Sequence, residues 1–258
     1  MIRALVRSIP DSFVDALGQE PGTRIDPAVA RRQHSAYVAA LSKLGVELLR
    51  VPADESTPDC VFVEDRVVTI GEAVVLTRSA APSRDAERAG ILSAMSGLDL
   101  EPVVMPPGAC ADGGDVLRLG KTLVVGRSAR TNPAGLAFLR HIAQHQGWDV
   151  REVPLPAGTL HLKCYCSCPS PGVLVFAPSR LSQAAFSGLY DVAIGVPEDE
   201  AWAANTVGVS GRVLVGAGQP KTARLLGEAG LDIVLIDASE MAKADGSLTC
   251  MSAFLPPS

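Results

Sequence analysis

The chain has 258 residues, of which 47% are hydrophobic and only 4% aromatic. One substantial core built from Ala, Val, Leu and Ile is therefore expected, in a single domain over residues 1–258. The net charge of −5 and the scatter of the 23 basic residues argue against a nucleic-acid partner. No apolar run is long enough for a signal peptide or a bilayer span, so we predict a cytoplasmic protein without a membrane partner. Its six cysteines are then expected to be free thiols.

In chain order, the predicted elements begin with a strand at residues 3–6 and a helix from about 27 to 44. Four segments then repeat one pattern: two short apolar strands joined by a Gly-containing turn, a small polar cluster and an amphipathic helix. The strand pairs are 67–70 with 73–77, 116–119 with 122–126, 165–168 with 173–177, and 206–209 with 212–216; the helices run from about 83 to 96, from about 133 to 146, from near 181 and from 220. A last strand is predicted at 252–255.

The repeat suggests how these units assemble. A module of this kind cannot bury its own apolar face, so several copies must pack around a shared centre or stack in a line. The two ends of the chain together supply the pieces of a fifth copy, which favours a closed ring over an open solenoid. An ordinary mixed α/β sheet is the alternative that periodicity leaves open.

Carboxylates concentrate at predicted strand edges. Acidic residues that cluster in this way are costly to bury unless they face a cation, which predicts a bound positive charge. The chain has neither an EF-hand loop nor paired CxxC motifs, so a planar guanidinium fits better than a metal ion. The acids concerned are Asp59, Glu64, Asp65, Asp112 and Asp115, some of which could instead cap helices or turns.

Cys250 and His161 are the candidate catalytic pair. Cys250 follows a Gly-containing turn that could present its thiol at the mouth of a central cavity, although a buried inert cysteine is commoner. His161 lies between two leucines and should project from the opposite face of a strand. A histidine beside a cysteine can deliver or accept the proton that nucleophilic catalysis requires.

The remaining histidines and cysteines carry less weight. His141 and His145 stand four residues apart on one helix face, where a solvated surface is more common than a metal site. Cys164, Cys166 and Cys168 alternate along a predicted strand and could share one face that binds a soft metal. Without a second ligand cluster, small buried thiols are the favoured interpretation.

Several motifs in one order resemble the dimethylarginine dimethylaminohydrolase family over almost the whole chain. They are Pro58-Asp-Cys-Val-Phe-Val-Glu-Asp65, Asp112-Gly-Gly-Asp-Val116, Arg127-Ser-Ala-Arg-Thr-Asn132, Leu160-His-Leu-Lys163 and Leu248-Thr-Cys250. The resemblance implies a five-bladed α/β propeller of the guanidine-modifying superfamily, with strand-strand-helix-strand units around a central active-site cavity. It also implies hydrolysis of Nω-methylated arginine to citrulline and an alkylamine.

The resemblance assigns roles to individual residues. By similarity, Cys250 is the nucleophile, His161 the general acid and base, and Asp112 the carboxylate that pairs with the guanidinium. Substrate contacts are implied for the side chains of Asp59, Asp65, Arg84 and Arg130 and for the backbone carbonyls of Leu17 and Ala244, with Glu64 in a supporting position. Some family members have Glu at the position of Asp112, and the shorter arm is expected to alter substrate preference without changing the reaction.

Three alternatives stay open at this level. A deiminase would use the same residue set on unmodified arginine and expel ammonia, whereas a non-enzymatic propeller would bind protein partners on the same scaffold. A metal-binding protein built around Cys164, Cys166 and Cys168 is the third. The preferred prediction is a methylated-arginine hydrolase without cofactor or metal, as a monomer or homodimer whose partner is its small-molecule substrate.

Overall fold

Fifteen strands form five three-stranded sheets in the part of the chain that the computed structural model describes, residues 1–18, 23–98 and 100–257. The strands are β1 (Ile2–Arg7), β2 (Val46–Val51), β3 (Val67–Ile70), β4 (Ala73–Leu76), β5 (Val103–Val104), β6 (Val116–Leu119), β7 (Thr122–Arg127), β8 (Asp149–Pro154), β9 (Cys166–Ser170), β10 (Val173–Phe176), β11 (Val192–Gly195), β12 (Val207–Val209), β13 (Arg212–Gly216), β14 (Asp232–Ile236) and β15 (Ala253–Phe254). The α-helices are α1 (Pro27–Lys43), α2 (Glu87–Met95), α3 (Pro133–His145), α4 (Pro220–Glu228) and α5 (Ser239–Ala242).

Each sheet repeats the same topology. Its middle strand is antiparallel to one neighbour and parallel to the other, as β4 is with β3 and β5. The antiparallel partners β3 and β4 are joined by a tight turn in which Gly71 has φ of +57°, and Gly120 has the same φ between β6 and β7. Glycine is required there because residues with a Cβ rarely adopt positive φ.

The chain ends complete one sheet, as the repeat predicts. β15 pairs antiparallel with β1, with Ala4 opposite Phe254, and β1 pairs parallel with β2. The first unit is therefore assembled from the first fifty residues and the last ten.

Five apolar clusters join the sheets into a ring. Each cluster is shared by two consecutive sheets, and the fifth joins the last sheet to the first, where Val207 and Leu214 pack with Ala4, Val6 and Val46. The fold is thus the five-bladed α/β propeller, and the alternative of one mixed sheet is wrong. The extent of the single domain, residues 1–258, stays a prediction.

Local sequence explains where the helices begin. The Asp26 side chain accepts hydrogen bonds from the amides of Ala28 and Val29 and caps α1, whose first residue is Pro27. Asn132 caps α3 in the same way by accepting from the amide of Gly135 at 2.8 Å. Among the described residues, no helix combines the length and apolar character needed to cross a bilayer.

Three predicted elements differ from the structure. The helix predicted from 83 to 96 is divided into a 3-10 turn at Pro82–Arg84 and α2, and the helix predicted near 181 is a 3-10 helix at Gln183–Phe186. The strand predicted from 165 begins only at Cys166, and Cys164 lies in a 3-10 helix, Leu162–Cys164. Cys164 is therefore not on the strand with Cys166 and Cys168, and the alternation predicted for all three along one strand is wrong.

Candidate active site

A 3-10 helix precedes the first strand of every sheet and places polar side chains around the axis of the ring. These helices are Val63–Arg66 before β3, Gly113–Asp115 before β6, Leu162–Cys164 before β9, Glu198–Ala204 before β12 and Thr249–Met251 before β15. Cys250 lies within the last of them, and His161 and Asp112 immediately precede two others. The polar segments identified in the sequence thus occupy equivalent places in the repeat.

The two glycines of the Asp112-Gly-Gly-Asp115 motif let these helices approach one another. A Cβ at Gly113 would lie 1.9 Å from the backbone oxygen of Glu64. A Cβ at Gly114 would lie 2.6 Å from His161 Nδ1 and 3.0 Å from Asp65 Oδ1. All three distances are shorter than van der Waals contact, so a larger residue at either position would push these neighbouring groups apart.

His161 is held between two carboxylates. Its Nε2 lies 3.1 Å from Asp112 Oδ2 and 3.9 Å from Asp65 Oδ1, and the ring is buried. Burial alone would lower the pKa of His161, but the charges of Asp65 and Asp112 and the hydrogen bond to Asp112 raise it. The imidazole is therefore suited to carry a proton at neutral pH.

Asp65 and Asp112 stay ionised although both are buried. Burial opposes ionisation of Asp65, but His161, Arg84 and Arg66 together hold its pKa below the ordinary value. Burial and the neighbouring Asp65 likewise oppose ionisation of Asp112, and Arg66 and His161 lower its pKa nonetheless. The pair can therefore stabilise positive charge next to His161.

These groups meet a small cavity of about 30 Å³. It is lined by Leu17, Gly18, Asp59, Phe62, Asp65, Arg84, Arg130, Leu160, His161, Ala244, Asp245, Gly246 and Cys250. Eight of the ten residues predicted for the site therefore line one cavity. The other two, Asp112 and Glu64, lie outside its wall.

Asp112 and Glu64 lie outside the cavity wall, and their carboxylates differ in burial and in the residues that they contact. Asp112 is completely buried, and its carboxylate contacts two residues of the cavity wall, His161 at 3.1 Å and Arg130 at 3.8 Å. Glu64 pairs with Lys163 at 2.5 Å and accepts a hydrogen bond from Thr249 Oγ1 at 2.6 Å. It lines a separate cavity of about 400 Å³. The placement suits a supporting role for Glu64 and does not provide a direct contact with a ligand beside Cys250.

Arg84 and Arg130 both line the cavity, but their guanidinium groups differ in the hydrogen bonds that they already make. Arg84 donates to Asp65 Oδ2 at 2.7 Å and to both carboxylate oxygens of Glu87, at 2.8 and 3.1 Å. Arg130 lies 3.8 Å from Asp112 Oδ2, and its Nη1 has no hydrogen-bond partner among the described residues. Arg130 is therefore the cation with free donor capacity for an anionic ligand group.

Asp59 fixes the other end of the cavity. Both of its carboxylate oxygens accept from the backbone amide of Leu17, at 3.1 and 3.2 Å. Burial raises the pKa of Asp59, while Arg84 opposes that rise. Next to Leu17, the Gly18 Cα is so close to Asp245 that a Cβ would lie 2.4 Å from Asp245 Oδ2. This contact brings the segment at Leu17 and Gly18 against the segment that carries Ala244.

Two functional candidates were not identified from the sequence. Arg66 pairs with Asp112, and Glu87 pairs with Arg84 and lies 3.6 Å from Arg66. Both residues are buried. The one local signal for Arg66 is a charge directly before the apolar strand β3, where buried charges require a partner.

A metal could use only one group of side chains in the described part of the chain. Ligand atoms of Asp65, Asp112 and His161 lie within 4.8 Å of one another. Arg66 and Arg84 already neutralise the two carboxylates, and their positive charges oppose a cation between them. The arrangement suits a proton on His161 better than a metal ion.

We expect the thiol of Cys250 to be protonated in the substrate-free protein. Burial first, and then the charges of Glu64 and Asp65, raise its pKa well above the ordinary value of 9. Alkylation of Cys250 by iodoacetamide should therefore be slow at neutral pH and accelerate only in strongly alkaline solution, which peptide mass spectrometry can follow. The half-buried thiol of Cys110, outside the cavity, serves as an internal control. Rapid alkylation of Cys250 at neutral pH would contradict this expectation.

A five-bladed ring with a cysteine, a histidine and carboxylates around one cavity defines the class of guanidine-modifying propeller enzymes that use a cysteine nucleophile. A dimethylarginine dimethylaminohydrolase from Streptomyces coelicolor is 38% identical over 233 residues, covering 90% of this chain and 88% of its own. The Pseudomonas aeruginosa protein of the same name is 33% identical over 250 residues, covering 96% and 97%. The chain belongs to the dimethylarginine dimethylaminohydrolase family.

Solved structures of this family and of a related enzyme have the same fold as this chain. A cysteine-to-serine variant of the Pseudomonas aeruginosa enzyme in complex with citrulline has a TM-score of 0.90 and 30% identity, covering 98% of both chains. A histidine-to-glycine variant of a dimethylarginine dimethylaminohydrolase, in an adduct with S-methyl-L-thiocitrulline, has a TM-score of 0.91 and 31% identity over 99% and 100%. The N-terminal domain of a cyanobacterial arginine dihydrolase, 21% identical with a TM-score of 0.88 over 99% and 98%, shares the fold. No protein-family model matches the chain.

Proposed function

We propose that this protein hydrolyses Nω-methylated arginine, with asymmetric dimethylarginine or monomethylarginine as substrate, to citrulline and dimethylamine or methylamine. The observation that carries the proposal is that Cys250, His161 and Asp65 line one cavity at the axis of the propeller. Relatives named for this activity, and their complexes with citrulline and a thiocitrulline, support the choice of substrate.

Binding of the substrate converts the Cys250 thiol into the nucleophilic thiolate. Burial and, after it, the negative charges of Glu64 and Asp65 raise the pKa of Cys250 and keep it in the thiol form before substrate binds. A guanidinium that enters beside Asp65 brings positive charge next to the thiol and stabilises the thiolate, so the thiol proton leaves to solvent. Binding and activation of Cys250 are therefore one event.

The chemistry then proceeds in two halves. The Cys250 thiolate attacks the guanidinium carbon, and the tetrahedral adduct breaks down as protonated His161 gives its proton to the departing alkylamine. The now neutral His161 takes a proton from water, the resulting hydroxide attacks the same carbon, and the carbon–sulfur bond breaks to release citrulline. Asp112 holds the imidazole by accepting a hydrogen bond from Nε2 through both halves.

Charged groups along the cavity match the rest of the substrate. Asp65 offers its carboxylate to the guanidinium, and Arg130, whose Nη1 has no hydrogen-bond partner among the described residues, faces the substrate carboxylate together with Arg84. Asp59 and the backbone carbonyls of Leu17 and Ala244 receive the amino group.

An arginine deiminase reaction is the competing proposal. It uses the same cysteine, histidine and carboxylates, but it expels ammonia instead of an alkylamine. The free donor capacity of Arg130 favours a substrate with a carboxylate over agmatine under either proposal. The oligomeric state, monomer or homodimer, the absence of a cofactor and the cytoplasmic location stay predictions.

Product analysis tests the proposal. Purified protein incubated with asymmetric dimethylarginine should release citrulline and dimethylamine in equal amounts, as measured by amino-acid analysis and amine chromatography. Arginine and agmatine are incubated in parallel. Ammonia from arginine at a higher kcat/KM would identify a deiminase instead, and citrulline from none of these compounds would reject both reactions.

A further inference from the structure

Asp112 is sealed away from the cavity in which the substrate guanidinium is proposed to bind. Its side chain has no solvent-accessible surface, and it is not among the described residues that line the cavity beside Cys250. Both of its oxygens already have partners: Oδ2 accepts from His161 Nε2 at 3.1 Å, and Oδ1 pairs with Arg66 Nη2. Because Asp112, unlike Asp65, has no surface on the cavity, it has no face to offer a guanidinium.

Arg66 is the cation of the buried ion pair with Asp112. Its side chain is also fully buried, and its Nη2 points at Asp112 while its Nε lies 3.6 Å from Glu87 Oε2. Among the described residues, Nε and Nη1 of Arg66 have no hydrogen-bond partner. Burial of a guanidinium with unpaired donors is costly, so the contact with Asp112 is the main compensation that its surroundings provide.

We propose that Arg66 is a positioning residue that holds Asp112 in the place from which the Asp112 carboxylate orients His161. This inference rests on the proposed hydrolysis for its kinetic consequences. It assigns Asp112 a different role from the guanidinium contact that the sequence resemblance implies. The short aspartate arm fits this role, because it leaves the carboxylate behind the histidine ring.

The charged groups around His161 and Asp112 determine in which direction loss of the Arg66 charge shifts their pKa values. His161 faces Asp65, Asp112 and Asp115, and Asp112 faces Arg66, Asp65 and Arg130 as well as His161. Removal of the Arg66 charge takes one cation away from this group. Every neighbouring proton is then held more tightly, so the pKa of His161 and that of Asp112 must both rise.

A proton NMR titration of the histidine C2–H signals tests the inference without any substrate. The chain has four histidines, so a His161→Gln spectrum identifies the signal. Arg66→Met should raise the pKa of His161 by about 1 pH unit, and Arg66→Lys, which keeps the charge, should restore most of the difference. Arg7→Met is the matched control, because Arg7 is equally buried but pairs with Asp54 and backbone carbonyls. An unchanged pKa of His161 in Arg66→Met would overturn the inference.

Kinetics separate positioning from substrate contact. Asp112→Asn and Arg66→Met should each lower kcat, by roughly 100-fold for a misplaced catalytic group, with KM for methylated arginine changed less than about threefold. In the Asp112→Asn background, Arg66→Met should cause no further loss of kcat, because both act through one contact. A KM that rises as much as kcat falls in Asp112→Asn would show that Asp112 touches the substrate and would overturn the inference.

The NMR titration and the kinetic measurements also distinguish failure of this inference from failure of the proposed function. If the unmodified protein releases no citrulline from any methylated arginine, the proposed function fails, and the NMR titration still decides whether Arg66 acts on His161. If Arg66→Met does not fold, as judged by circular dichroism, Arg66→Gln and Asp112→Asn supply the same comparisons. A pKa of His161 that falls in Asp112→Asn agrees with the inference, and one that does not move contradicts it.

Discussion

Replacement of Cys250 with serine is expected to abolish release of citrulline from methylated arginine while leaving the fold intact. A hydroxyl is far more weakly acidic than a thiol, so the guanidinium cannot convert it into an anion, and the covalent step is lost. We expect kcat to fall by roughly 10⁴-fold or more. The exchange of one atom at a half-buried position should leave the melting temperature nearly unchanged.

Cys168→Ser is the matched control for this experiment. Cys168 is also half-buried, but it lines the separate cavity of about 400 Å³ and lies in β9. Its replacement should leave turnover at the level of the unmodified protein. Citrulline formation by Cys250→Ser at a normal rate would remove Cys250 from the mechanism.

Replacement of His161 with glycine is expected to stop turnover and leave a covalent adduct on Cys250. The guanidinium still generates the thiolate, so attack proceeds, but no imidazole gives a proton to the amine or takes one from water. We expect kcat to fall by about 10²- to 10⁴-fold. Intact-protein mass spectrometry after incubation with a substrate that has a better leaving group should show the added mass.

His141→Gly is the control, since His141 is exposed on α3 and distant in the repeat from the cavity. In the unmodified protein, the step that needs protonated His161 should be lost as pH rises through its raised pKa, because Asp65 and Asp112 stabilise the imidazolium only until it deprotonates. Steady-state rates in His161→Gly equal to those of His141→Gly would exclude His161 as the proton donor.

Most of the ring could be predicted from the sequence because its signals are local. Alternating apolar residues around Gly71 and Gly120 define the strand pairs, and Asp26 with Pro27 marks the start of α1. The unit that joins the chain ends was predicted because four copies of the repeat leave three elements unassigned: the N-terminal strand, the helix from about 27 to 44 and the C-terminal strand. The helix predicted near 181 is a 3-10 helix of four residues, and so short an element has no periodicity from which its type could be predicted.

Residue types in the candidate site could be predicted, but their pairing could not. The acids, His161 and Cys250 stand out because polar residues interrupt apolar strands at equivalent places in the repeat. Arg66 and Glu87 do not stand out, because their burial depends on partners that only the fold brings close, such as Asp112 for Arg66 and Arg66 for Glu87. Sequence spacing likewise does not reveal that Glu64 turns toward Lys163 and away from the cavity beside Cys250.

The pairing of β15 with β1 has a consequence for the order of events during synthesis. Cys250, the proposed nucleophile, lies only three residues before β15, and β15 is the antiparallel neighbour of β1. Because the ribosome makes β1 long before β15, β1 stays without this neighbour while the residues between the two strands are made. Cys250 and the strand that closes the ring are made almost together, and until then the edge of β1 is open to pairing with other strands.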